Sequence, residues 1–176
     1  THSMFEGCSK LQSLETSTWV FSSLTNADSM FNNCQSLSKL DVSNWGMGKV
    51  IYFGFIFNNC YALTSLNVSK WDTSSANNFN AMFSECRNLA NIDVSNWKTS
   101  NVTQAVNTFL NCKKLTKVSV QNWDMSNVIQ LSGMFAYCSG LKELNLKEFN
   151  ISQVTTMPMI FEYMNLSKII LPETTG

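Results

Sequence analysis

Phenylalanine recurs at Phe5, Phe31, Phe57, Phe83, Phe109, Phe135 and Phe161, always 26 residues apart. No insertion breaks that register over six full periods. Cysteine follows three residues later at Cys8, Cys34, Cys60, Cys86, Cys112 and Cys138, with Met164 in the seventh place. Tryptophan forms a third column at Trp19, Trp45, Trp71, Trp97 and Trp123, continued by Phe149. Leucine forms a fourth, from Leu11 to Leu141. A period of this length marks a stacked array, because one such unit cannot bury its apolar side alone and its neighbours must cover it. Residues 1–176 are therefore expected to form one array of about six full repeats plus a partial C-terminal unit.

The second unit reads most clearly. From Leu37 to Trp45 it runs L-x-x-L-x-V-x-x-W, which is similar to the front of a leucine-rich repeat with an aromatic in place of Asn or Cys. Leu40 and Val42 lie two apart and share one face of a short strand, while Lys39, Asp41 and Ser43 point to the other. The strands are expected on the column Leu14, Leu40, Leu66, Ile92, Val118 and Leu144. Later in each unit the spacing changes. Val102, Ala105, Phe109 and Cys112 stand 3, 4 and 3 apart, which predicts one face of a short helix. Ser74, Ser100, Ser126 and Ser152 then sit where a serine caps a helix start. The expected fold is an α/β leucine-rich-repeat solenoid, with one parallel β-sheet and short helices on the opposite side.

The ends depart from the pattern. Thr16 replaces the valine of the first unit, and the last unit loses one residue after Met164. Terminal units must cover an open core, so atypical ends are expected. Because the chain starts inside a unit, it reads as a fragment of a longer protein. The closing Leu171-Pro-Glu-Thr-Thr-Gly176 resembles the sorting motif L-P-x-T-G with one threonine too many, and reads as the end of the last repeat.

Two strings carry a more specific resemblance. One is D-V-S-N-W-x-x-x-x-V at Asp41 to Val50 and again at Asp93 to Val102; the other is M-F-x-x-C-x-x-L at Met30, Met82 and Met134. Together they resemble the BspA-like leucine-rich repeats of bacterial surface proteins. The resemblance implies export, an extracellular position at the cell surface, and adhesion to a host extracellular-matrix or cell-surface protein such as fibronectin. That family offers no catalytic residues to carry over, so the chain is expected not to be an enzyme and to need no cofactor.

Composition narrows the partners. Twelve Lys and Arg balance twelve Asp and Glu, for a net charge of zero, so no global attraction draws the chain to nucleic acid or an anionic membrane. No apolar run is long enough for a transmembrane helix. The only histidine is His2, which argues against histidine catalysis and histidine metal sites. An even number of cysteines in an exported chain raises the question of disulfides. All six share one inward column, however, and adjacent side chains in a ladder run parallel rather than facing each other. Buried thiols are expected, ahead of disulfides or zinc.

Binding is placed on the exposed strand face, at Lys39, Asp41, Asn67, Asn91, Asp93 and Lys117. Parallel strands align such residues in rows, and solenoids use faces of this kind. A calcium reading of Asp41 and Asp93 lacks a loop motif. The tryptophan column could stack on sugars, but its spacing puts it in the core. The stretch Ile51 to Phe55 breaks the repeat, with Tyr52 and Phe55 off the core columns. The leading function is a non-enzymatic adhesion or protein-binding domain; the alternatives are a structural stalk or spacer and, behind that, a carbohydrate-binding module.

Overall fold

A computed structural model describes residues 2–172; the sorting-like motif therefore extends, at residues 173–176, outside the described residues. Short strands form at every position of the expected column except Leu66, beside which only an isolated bridge forms, at Ser65. The strands are β1 (Ser13–Leu14), β2 (Lys39–Leu40), β3 (Asn91–Ile92), β4 (Lys117–Val118), β5 (Glu143–Asn145) and β6 (Lys168–Ile170). Every pairing is parallel. Ser13 faces Lys39 and Asn91 faces Lys117, one repeat apart. In the last pair Glu143 faces Lys168, which absorbs the residue lost after Met164. The alternation is simple: Lys39 and Asp41 are exposed, while Leu40 and Val42 are buried.

The expected α/β leucine-rich-repeat solenoid is not what forms. Among the described residues there is no helix, and the strands make three separate two-stranded sheets rather than one. Isolated parallel bridges supply the other pairings, among them Ser65 with Asn91 and a second series through Asn26, Tyr52, Asn78, Gln104 and Gln130.

The reason lies in where the backbone N–H groups go. Through the segment predicted as helix, alternate N–H groups donate to the next unit: Ala81 to Val106 (2.8 Å), Phe83 to Thr108 (2.9 Å) and Glu85 to Leu110 (2.7 Å). The intervening N–H groups close tight turns, Met82 to Phe79 (3.2 Å), Ser84 to Ala81 (3.1 Å) and Cys86 to Phe83 (3.1 Å). A helix would consume all of these donors internally at i−4 and leave none for stacking. The turns need two left-handed residues per unit, such as Ala81 (φ 50°) with Glu85 (φ 63°) and Asn107 (φ 58°) with Asn111 (φ 59°). Val102, Ala105, Phe109 and Cys112 are nevertheless all buried. Helical spacing and this turn satisfy the same inward pattern, so periodicity could not separate them.

The serine column is corrected likewise. The N–H groups of Ser74, Ser126 and Ser152 donate to Oδ1 of Asp72 (3.1 Å), Asp124 (3.0 Å) and Asn150 (3.0 Å). The side chain two residues earlier closes the turn, and the serine does not cap a helix.

The interior is built from continuous columns. Phe57, Phe83 and Phe109 stack at 5.8 and 5.5 Å between centroids. Trp71, Trp97 and Trp123 stack at 6.2 and 5.9 Å, within 5° of parallel. Each of these indoles also donates to the preceding unit: Trp71 Nε1 to the Val42 carbonyl (3.0 Å), Trp97 to Val68 (3.1 Å) and Trp123 to Val94 (3.1 Å). The thiols do the same, Cys60 to Phe31 (3.3 Å), Cys86 to Phe57 (3.2 Å), Cys112 to Phe83 (3.1 Å) and Cys138 to Phe109 (3.0 Å). The tryptophans from Trp71 to Trp123 and the cysteines from Cys34 to Cys138 are thus apolar residues that each supply one donor across the junction between units.

Candidate functional site

The six residues placed on the binding face all belong to four successive units and all are exposed. Lys39 lies in β2, Asn91 in β3 and Lys117 in β4, with Asn91 directly opposite Lys117 and also bridged to Ser65. Lys39 and Lys117 make no ion pair among the described residues. The Thr116 hydroxyl donates to Asn91 Oδ1 at 3.2 Å.

Asp41, Asn67 and Asp93 have a second job, which spacing did not reveal. Asp41 Oδ1 accepts from the Ser43 hydroxyl (2.6 Å) and N–H (3.0 Å). Asp93 Oδ1 accepts from the Ser95 hydroxyl (2.7 Å) and N–H (3.1 Å), and Asn67 Oδ1 from the Ser69 hydroxyl (2.9 Å). These are the side-chain turns that end each strand. The signal was the D-V-S and N-V-S spacing itself, an Asx residue two before a serine. The Ser43 hydroxyl, then its N–H, holds the Asp41 carboxyl below its ordinary value, and Ser95 does the same for Asp93. Both groups face water as carboxylates, each with one oxygen engaged. Among the described residues no three His, Cys, Asp or Glu side chains cluster as metal ligands.

A second surface breaks the repeat. Ile51, Tyr52 and Phe55 are 37%, 46% and 39% exposed. Ile51 and Tyr52 line a shallow depression with Lys49, Ser75, Asn77 and Asn101. At the C-terminal end an open hollow of about 830 Å³ is lined largely by apolar side chains, including Leu146, Phe149, Phe161 and Leu171.

The cysteines are free thiols. Five are buried; Cys8 is exposed, against expectation, because the described residues hold no preceding unit to cover it. Burial pushes the Cys34 thiol up to about 11 and also raises those of Cys60, Cys86 and Cys112 well above the ordinary value. None of these four offers a thiolate for chemistry near neutral pH. The tryptophans from Trp45 to Trp123 lie inside the stack, out of reach of a sugar.

A solved leucine-rich repeat protein from Bacteroides ovatus ATCC 8483 is similar over 97% of this chain, at 17% identity and a TM-score of 0.27. The chain spans 66% of that protein's length. No curated protein matches it. The family described as Mycoplasma protein of unknown function, DUF285, matches residues 1–118 and 88–168, which together cover nearly the whole sequence. This repeat protein belongs to the DUF285 family.

Proposed function

We propose that the chain is a non-enzymatic protein-binding repeat domain, displayed outside the cell at its surface, whose strand face adheres to a host matrix or cell-surface protein. The observation that carries this reading is the alignment of exposed polar side chains in register on a rigid stack, with Asn91 facing Lys117 across parallel strands. A prearranged surface of this kind loses little freedom on binding. The resemblance of the repeats to BspA-like surface proteins supports both adhesion and the extracellular position. The thiol column is compatible with that location. Most of its thiols are buried, bonded to carbonyls and held protonated, so they resist oxidation without a disulfide.

A stalk is the second reading, favoured by the uninterrupted Phe and Trp columns. The exposed Ile51, Tyr52 and Phe55 weigh toward a binder, since a spacer needs no such break. The test is capture of host matrix and serum proteins, fibronectin among them, on the immobilised chain. Lys39→Ala, Asn91→Ala and Lys117→Ala together should abolish capture while the thermal unfolding curve is unchanged. Capture of nothing by the parent chain would leave the stalk; loss only on changing Tyr52 and Phe55 would move the site to that edge.

A further inference from the structure

The neutral net charge conceals a sorting of charge around each unit. The five residues from the turn after the Cys column to the first strand position recur as 9–13, 35–39, 61–65, 87–91, 113–117 and 139–143. Counted with Lys168, which pairs opposite Glu143, this strip holds eight of the twelve basic side chains and one of the twelve acids, Glu143. Lys10 and Lys39 lie in the early units. Arg87, Lys113, Lys114, Lys117, Lys142 and Lys168 crowd the later ones. The backbone brings these six together: Lys114 N–H donates to the Arg87 carbonyl (3.2 Å), and Lys168 N–H to the Lys142 carbonyl (3.1 Å). All are exposed.

Little on the molecule neutralises them. Glu85 is bonded to Arg87 at 2.7 Å, and the Arg87 guanidinium covers the Tyr61 ring at 4.5 Å. Asp93 acts on Lys117 electrostatically, and Glu143 stands among the lysines. No acid lies within ion-pair distance of Lys113, Lys114, Lys117, Lys142 or Lys168 among the described residues.

We infer that this strip is a binding surface for a linear sulfated polysaccharide. Units stacked about 4.8 Å apart gather the basic side chains of the later units, from neighbouring columns, into one patch, which suits a chain carrying anionic groups at short intervals. Ser139 and Asn91 lie among the lysines and supply a hydroxyl and an amide N–H for sugar oxygens. The strip does not suit single-stranded nucleic acid, which needs open aromatic faces for its bases; its one ring, Tyr61, is covered by Arg87. Nor has it large apolar side chains to enter a bilayer. The inference goes beyond adhesion to a protein and is tested at residues outside that proposed face.

The test is binding of fluorescent heparin to the whole chain at low salt. Lys113→Glu, Lys114→Glu and Lys142→Glu together should weaken it on the order of tenfold or more, and added salt should weaken the parent. Lys49→Glu, Lys70→Glu and Lys98→Glu change the net charge equally but lie outside the strip, and should leave binding near parental. Unfolding curves of both triples check folding. The inference is overturned by no heparin binding, equal loss in the two triples, equal binding of desulfated heparin, or equal or tighter binding of an oligodeoxynucleotide or anionic vesicles.

Discussion

Trp45 and Trp97 are a matched pair that isolates one hydrogen bond. Both are 3% exposed. Both lie between two other indoles, at 6.1 and 6.2 Å for Trp45 and at 6.2 and 5.9 Å for Trp97. They differ in the ring beside them, Phe21 at 5.0 Å and 88° for Trp45 against Phe79 at 5.3 Å and 51° for Trp97, and in hydrogen bonding. Trp97 Nε1 donates to the Val68 carbonyl at 3.1 Å, whereas Trp45 Nε1 is buried without an acceptor. The unpaired indole lies against the first unit, which carries Thr16 where most later ones have valine and whose Thr16 hydroxyl donates to the Asp41 carbonyl. Replacing either tryptophan with phenylalanine removes similar ring area and similar stacking. In Trp97→Phe the Val68 carbonyl loses one of two donors and keeps the Trp71 N–H (3.1 Å), a loss of about 0.5–1.5 kcal/mol. Trp45→Phe removes a donor that was already unsatisfied, so that term is absent or reversed. Trp97→Phe should therefore be the more destabilising by about 0.5–1.5 kcal/mol, or roughly 2–4 °C of melting temperature per kcal/mol. Urea unfolding followed by far-ultraviolet circular dichroism measures it, since tryptophan fluorescence itself changes with the substitutions. Hydrogen exchange of Val42 and Val94 separates global loss from fraying at one end. Equal costs, or a larger cost for Trp45→Phe, would refute the view that the indole bonds help hold the units together.

Thiol labelling of the folded chain should show one fast group, Cys8, and five slow ones, because the thiols from Cys34 to Cys138 are buried. Unfolding without reductant should release all six; fewer would reveal disulfides. Carbon-detected titration should place the Asp41 carboxyl below the ordinary aspartate value, and Ser43→Ala should move it upward. The folded carboxyl is the stronger acid, so its contribution to stability is present above the unfolded-state value and is lost as pH falls through the lowered folded value. A carboxyl titrating at the ordinary value, unmoved by Ser43→Ala, would contradict the turn.

The columns of Phe, Cys, Leu and Trp were legible because they repeat without slippage, and any stacked arrangement must turn them inward. The strand positions were legible too, since Lys39, Leu40, Asp41 and Val42 alternate with the strand's own period. The second half of each unit was not. Apolar spacings of 3, 4 and 3 state only which residues face inward, and both a helix and a doubly left-handed turn obey them. A weak signal was present in the column holding Gly7, Asn33, Asn59 and Asn111, residue types that accept the left-handed conformation. Glu85 and Tyr137 share that column and obscured it. What separates the alternatives is the neighbouring unit, because its carbonyls take the N–H groups a helix would have used. Likewise the sequence shows the types Cys, Trp, Asp and Ser, but only stacking assigns the bond each one makes. Net charge is a sum over residues and was readable at once. Its sorting into one basic strip depends on which residues the stack brings side by side, and that is decided by tertiary structure alone.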